Sequence, residues 1–370
     1  MKKISLITIL DNTNFGTYLQ AIALGVVLQK KGCCVELVHY VRSFMSFKYL
    51  IKRRLKNTMN PLKWIKRLCI GIRQEYLRKN NWKFVKKHIS LSKRYNSLNE
   101  LANTPPIADI YLTGSDQVWN SIHNQGLDEV FYWTCISEKK HKAAYASSIG
   151  MNDIPEMEKD RMFQYLSSYN LISVRENKGK EILSSLGLKN VEVTLDPTLL
   201  LTRGEWANLI NTSCFKKVEP YLLVYSVETK KEASLINSIA SSVAKQKKLK
   251  IYGIYYGGRD CKMDCCDKNF YYSTPEMFVS LFLQADFVVV SSFHGTAFSI
   301  NFNKQFFTVL PERFSSRIDS LLDKCGLMNH KISDIPTAFL DSDIDYQVVN
   351  DIMKEERIKS LAFIDKILKS

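Results

Sequence analysis

The feature that most constrains this chain is an alternation of buried-strand and helix patterns that is laid down once and then begun again. The apolar run ISLITIL leads into the polar loop Asp11–Gly16. TYLQAIALGVVLQKKG follows, with apolar residues at helical spacing up to Gly32, and then the strand pattern CCVELVHY. Strand, tight loop, helix and strand within about forty residues form a βαβ unit, whose right-handed crossover builds a parallel sheet. ADIYLTG, KAAYASS, LISVR and VEVTL continue as strand patterns, with helical character at 155–168 and 176–186. After a linker at about Asn211 to Pro220 the same grammar restarts. YLLVYSV, KLKIYGIYY, DFVVVSS and QFFTVL alternate with helical stretches near 231–246, 275–284 and 295–303. The expectation is an α/β protein of two Rossmann-like, doubly wound domains facing across a cleft, 1–210 and 211–370, the second ending in a C-terminal helix.

The 370 residues suffice for two cores, and 45% hydrophobic with 24% charged residues is ordinary for a soluble globular protein. No apolar run approaches the roughly 18 residues that cross a bilayer. Met1-Lys2-Lys3 and the apolar run after it superficially resemble a signal peptide, but they run into Asp11-Asn12 without a small-residue cleavage site, so a first strand is expected. Nine scattered cysteines point to a reducing, cytoplasmic setting rather than a disulfide framework. Cys261, Cys265 and Cys266 lack a C-x-x-C pair and a nearby histidine, so no metal is expected.

The formal net charge of +15 is concentrated between Arg42 and Arg94, where Glu75 is the only acid. Trp64, Leu68, Ile72, Tyr76, Trp82 and Phe84 are interleaved at mostly helical spacing. Two readings stand side by side. One is a basic amphipathic helix attracted to anionic lipid, giving a peripheral location at the inner face of the cell membrane. The other is a solvated helical face packed on the first domain by its aromatics. No nucleic-acid-binding motif accompanies the charge.

Four strand-end loops can carry chemistry. Asn14-Phe15-Gly16-Thr17 opens a helix, whose free amides suit an anion, but it is not a dinucleotide fingerprint. Gly114-Ser115-Asp116-Gln117-Val118-Trp119-Asn120 is dense in hydrogen-bonding groups. There Asp116 can orient a hydroxyl or a histidine and Trp119 can floor a sugar; the plainer reading is a helix cap with a buried tryptophan. Arg175, at the tip of LISVR, can clamp a carboxylate or phosphate, or else pair internally with Glu176 or another acid. Ser291-Ser292-Phe293-His294-Gly295-Thr296 puts a histidine, hydroxyls and a helix N-terminus together, a place where phosphate can be held while His294 moves a proton. His39, His88, His123, His141 and His330 lack that setting.

In order along the chain, NFGTYLQAIAL, TGSDQVWN, AAYASSIG, SVRENKG, LDPTLLL and SSFHGTAFSINF resemble the polysaccharide pyruvyl transferase family over about residues 5 to 325. GSDQVWN together with SFHGT carries most of the specificity; the basic stretch 43–95 and the C-terminal helix fall outside the likeness. The resemblance implies a GT-B-like architecture, phosphoenolpyruvate as donor, and as acceptor a hexose unit on a lipid-linked oligosaccharide or growing polysaccharide. For ketal formation from such a donor, His294 is expected as the general acid or base and Asp116 as the group that orients or activates an acceptor hydroxyl, the two catalytic candidates. Arg175, Ser292, Gly295, Thr296, Arg313 and Arg317 would bind donor, and Asn14, Gly16, Ser115, Gln117 and Trp119 acceptor. Ser292 departs from relatives that place an arginine there to hold the donor. Phosphoenolpyruvate is a co-substrate, so no cofactor is expected. The alternative on the same architecture is a nucleotide-sugar glycosyltransferase, with SFHGT at a diphosphate; a non-enzymatic membrane scaffold is the third reading.

Overall fold

A computed structural model describes residues 1–56, 60–210, 212–227, 230–255, 263–309, 316–333 and 343–370. Seven parallel strands form the first sheet: β1 (Lys3–Ile7), β2 (Cys34–Tyr40), β3 (Ser90–Tyr95), β4 (Ile110–Thr113), β5 (His141–Ser147), β6 (Leu171–Val174) and β7 (Glu192–Val193). Their order is β3-β2-β1-β4-β5-β6-β7. The second sheet holds β8 (Tyr221–Ser226), β9 (Lys250–Tyr255), β10 (Lys268–Phe270), β11 (Phe287–Val290), β12 (Gln305–Val309) and β13 (Lys331–Ile332) in the order β10-β9-β8-β11-β12-β13, again parallel. Each sheet winds outward in both directions from its first strand, so the doubly wound α/β expectation holds. Sequence patterning missed the short edge strands β3, β10 and β13, which have too few buried residues to print a pattern.

Local chemistry sets the elements. The helix Phe15–Lys30 stops because Gly32 takes φ +82°; Cys33 N–H donates to Leu28 O and Gly32 N–H to Gln29 O, closing a Schellman motif. The basic stretch is not one helix but two, Phe47–Leu55 and Pro61–His88, forming the crossover from β2 to the edge strand β3. Residues 90–95, the end of the basic stretch 43–95 that reads from sequence as a helical insertion, therefore form an edge strand of the sheet.

Contacts divide the chain into two units: 1–12 with 17–200 and 356–370, and 13–16 with 201–355. The division falls at 200/201 rather than 210/211. The helix Arg203–Leu209, opened by a Thr202–Glu205 capping box, buries Trp206 against Phe298 of the second unit. The last turns of the helix Tyr346–Lys369 belong to the first unit, where Ser360 Oγ accepts from Leu195 N–H and Phe363 packs at Tyr145. Among the described residues, no helix is long and apolar enough to cross a membrane.

Candidate active site

In the second unit, the strand order reverses between β8 and β11, and doubly wound sheets bind ligands beyond the carboxyl ends of such strands. β11 ends at Val290, and Ser291 ties it to β8: its hydroxyl pairs with Ser226 Oγ at 3.0 Å and accepts from Val227 N–H. Ser292 then caps the helix Phe293–Asn301, its Oγ accepting from Gly295 N–H at 3.0 Å. Its carbonyl accepts from Thr296 N–H and from Thr296 Oγ1, which also pairs with Thr308 Oγ1. This corrects an expectation. The amides of Gly295 and Thr296, assigned to phosphate, are taken by Ser292, and Ser292 itself acts as the cap.

The imidazole of His294 is 4% exposed and lies against the backbone of Gly16. A Cβ at Gly16 would sit 2.1 Å from His294 Cγ and 2.2 Å from Nδ1, so the position admits no side chain without moving the ring. Gly16 N–H donates to Asn14 Oδ1 at 3.0 Å, and Tyr225 O–H, at the end of β8, donates to the same oxygen at 3.5 Å. Phe15 stacks on Phe278 with centroids 5.1 Å apart. Phe293 meets His294 edge-on, and the Arg317 guanidinium lies 5.9 Å from the Phe293 ring centroid. Asn14 and Gly16 are thus placed with His294, Arg317 stands beside the same loop, and Arg313 lies outside the described residues. Tyr225 was not singled out; its only sequence signal is an aromatic at the carboxyl end of a buried strand.

The first unit has its own switch point between β1 and β4. Asp116 sits there at φ +74°, a left-handed conformation that aspartate tolerates better than most residues. Its Oδ2 accepts from Thr17 Oγ1 at 2.8 Å and its Oδ1 from Gln117 N–H. Arg175, expected to clamp the donor, is buried among three carboxylates: Asp196 at 2.9 Å, Asp116 at 3.5 Å and Glu176 at 3.7 Å. Burial works against its charge, but these acids outweigh burial and hold the guanidinium protonated. The internal ion-pair reading is the one the geometry carries. Glu176 Oε1 accepts from Ser148 Oγ and from the amides of Ile149 and Gly150, and Ser115 Oγ donates to Asp196. Trp119, expected to floor a sugar, is 1% exposed and stacks on Tyr132. Gln117 Oε1 accepts from Asn120.

His39 and His330 are packing groups, whereas His123 is exposed. His39 lies 3.9 Å from the Trp82 ring centroid, and burial, helped by Arg94, pushes its pKa down to about 4. His330 places Nδ1 3.2 Å from Phe306 O, with its pKa lowered by burial. Cys265 and Cys266 sulfurs lie 4.0 Å apart, while Cys261 lies outside the described residues.

Comparison with known proteins adds two findings. A family model described as polysaccharide pyruvyl transferase matches residues 14–312. Solved structures of UDP-N-acetylglucosamine 2-epimerase are similar in fold. That from Neisseria meningitidis, bound to UDP-GlcNAc, has a TM-score of 0.52 and 11% identity, covering 100% of both chains. That from Rickettsia bellii has a TM-score of 0.50 and 11% identity, covering 100% of this chain and 95% of the other. No curated protein sequence matches significantly.

Proposed function

Because this chain belongs to the polysaccharide pyruvyl transferase family, we propose that it moves pyruvyl from phosphoenolpyruvate onto two hydroxyls of one hexose. The acceptor in this reading is a lipid-linked or surface glycan, the product a cyclic ketal, and the leaving group phosphate. The observation that supports it best is His294 at the second switch point, packed on Gly16 beside Tyr225 and Arg317.

Ketal formation needs a proton on C3 of the enol, after which C2 bears positive charge. One hydroxyl adds to C2 and loses its proton. The second displaces phosphate and loses its own, so donor and diol become ketal and phosphate. Imidazole is the side chain that both gives and takes a proton near neutral pH, and His294 is assigned that work. Arg317 is assigned to the donor's anionic groups, since its planar fork suits carboxylate and phosphate and Ser292 supplies no charge. Tyr225 and Asn14 would order hydroxyls at the same loop. Asp116 is given a positioning part, holding Thr17 in the first turn of the helix that carries Gly16.

The test is phosphate release from phosphoenolpyruvate with a panel of β-hexosides. Acceptor-dependent release, lost in His294→Gln with thermal stability retained, is the expected result. Stabilisation by UDP or GDP and none by phosphoenolpyruvate would move the assignment to nucleotide-sugar transfer.

A further inference from the structure

The helix Pro61–His88 presents apolar side chains on a face that nothing among the described residues covers. Leu62, Ile65, Ile72 and Tyr76 are 78%, 54%, 53% and 56% exposed, and Cys69 is also exposed. Their spacings of three, four, three and four put them in one stripe along the helix. Opposite that stripe the helix packs on Phe47–Leu55. Gly71 admits the approach, since a Cβ there would lie 2.3 Å from Ile51 Cδ1, and Arg67 donates to Arg54 O. Farther along, Leu77, Trp82, Phe84 and Val85 are buried in the first unit. The interleaved apolar residues therefore divide: Trp82 and Phe84 serve packing, while Ile72 and Tyr76 face outward.

Charge says what covers the stripe. At about 100° per residue, Lys66 and Arg73 border it on one side and Lys79 on the other. The helix's one acid, Glu75, is paired with Arg78. A further open pocket of about 520 Å³ on the hairpin is lined by Leu50, Arg53, Arg54, Lys56 and Arg67, four cations and no acid. A second copy of this helix would bring like charges face to face, and nucleic acid has no use for an aliphatic stripe. An apolar strip edged by cations fits an interface that is apolar beneath and anionic at its rim.

We propose that this helix lies on an anionic bilayer, with Leu62, Ile65, Ile72 and Tyr76 in the interfacial layer and Lys66, Arg73 and Lys79 among lipid phosphates. The inference is independent of the transfer reaction, which a soluble β-hexoside would still report. Sedimentation of the full chain with phosphatidylglycerol-rich and with purely phosphatidylcholine vesicles tests it. Binding to the anionic vesicles only, relieved by salt, is expected. Ile65→Asp/Ile72→Asp should abolish binding without lowering the melting temperature, as both residues are exposed. Lys66→Gln/Lys79→Gln should weaken it by about fivefold per cation removed. Met157→Asp, an exposed apolar residue elsewhere, should change nothing. No binding to either vesicle, equal binding to both, or undiminished binding by the aspartate variant would each overturn the proposal. Self-association that the aspartate variant alone abolishes would do so too, assigning the stripe to a second copy.

Discussion

The two switch points are built from the same topology and loaded with opposite chemistry. In the first unit the strand ends hold Arg175 against Asp116, Asp196 and Glu176, and the charges use one another's bonding capacity inside the fold. In the second unit the strand ends hold hydroxyls, a tyrosine and one imidazole, with Arg317 over Phe293 as the cation beside them. A buried charge cluster holds its loops in one arrangement; it does not offer an arginine to a substrate anion. An imidazole, by contrast, is a group that gives and takes a proton near neutral pH. On the contrast rests our proposal that the donor is held by the loop around His294 rather than by Arg175.

Replacing Arg175 tests the structural half most severely. Arg175→Met leaves three buried carboxylates without their cation and should cost about 3–5 kcal/mol in urea unfolding. A loss below about 1 kcal/mol, with activity gone, would return Arg175 to the donor site. His294→Gln should do the reverse, cutting turnover by about 10²–10⁴-fold while stability stays close to wild type. Wild-type turnover in that variant would remove the histidine from the mechanism.

Gly16→Ala sharpens the contrast because it touches His294 without changing it. The new methyl must displace the ring, with a stability cost of about 1–3 kcal/mol and a fall in kcat greater than any rise in KM. A crystal structure of the variant with an unmoved imidazole would sink the idea. Asp116→Asn should be milder still, since asparagine tolerates positive φ and can accept from Thr17, whereas Asp116→Ala loses both. Equal damage from the two would show that the carboxylate charge itself is needed.

The smallest expected effect concerns His39, a packing histidine set against the catalytic assignment of His294. Its folded pKa of about 4 lies below its ordinary value, so the unfolded chain takes up the extra proton first as pH falls. Its contribution is present above about pH 6.5 and lost progressively as pH falls toward 4. His39→Phe should flatten that part of the stability profile, and an unaltered slope would assign it to other groups.

Parallel doubly wound architecture was legible because strands buried on both faces, such as FVVV and YLLVY, print continuous apolar runs between helical periods. Glycines and caps marked the helix ends, and the motif order marked the family. Edge strands such as Ser90–Tyr95 were not legible, since half-exposed segments carry no such pattern. Nor could sequence decide the direction of Arg175, which one spacing serves equally as a clamp or an ion pair. That depended on Asp196, 21 residues away, arriving at the end of β7. The approach of Gly16 to His294, and the division of the basic hairpin's aromatics into buried and exposed, were likewise tertiary outcomes. Periodicity records which residues share a face; only packing decides what that face meets.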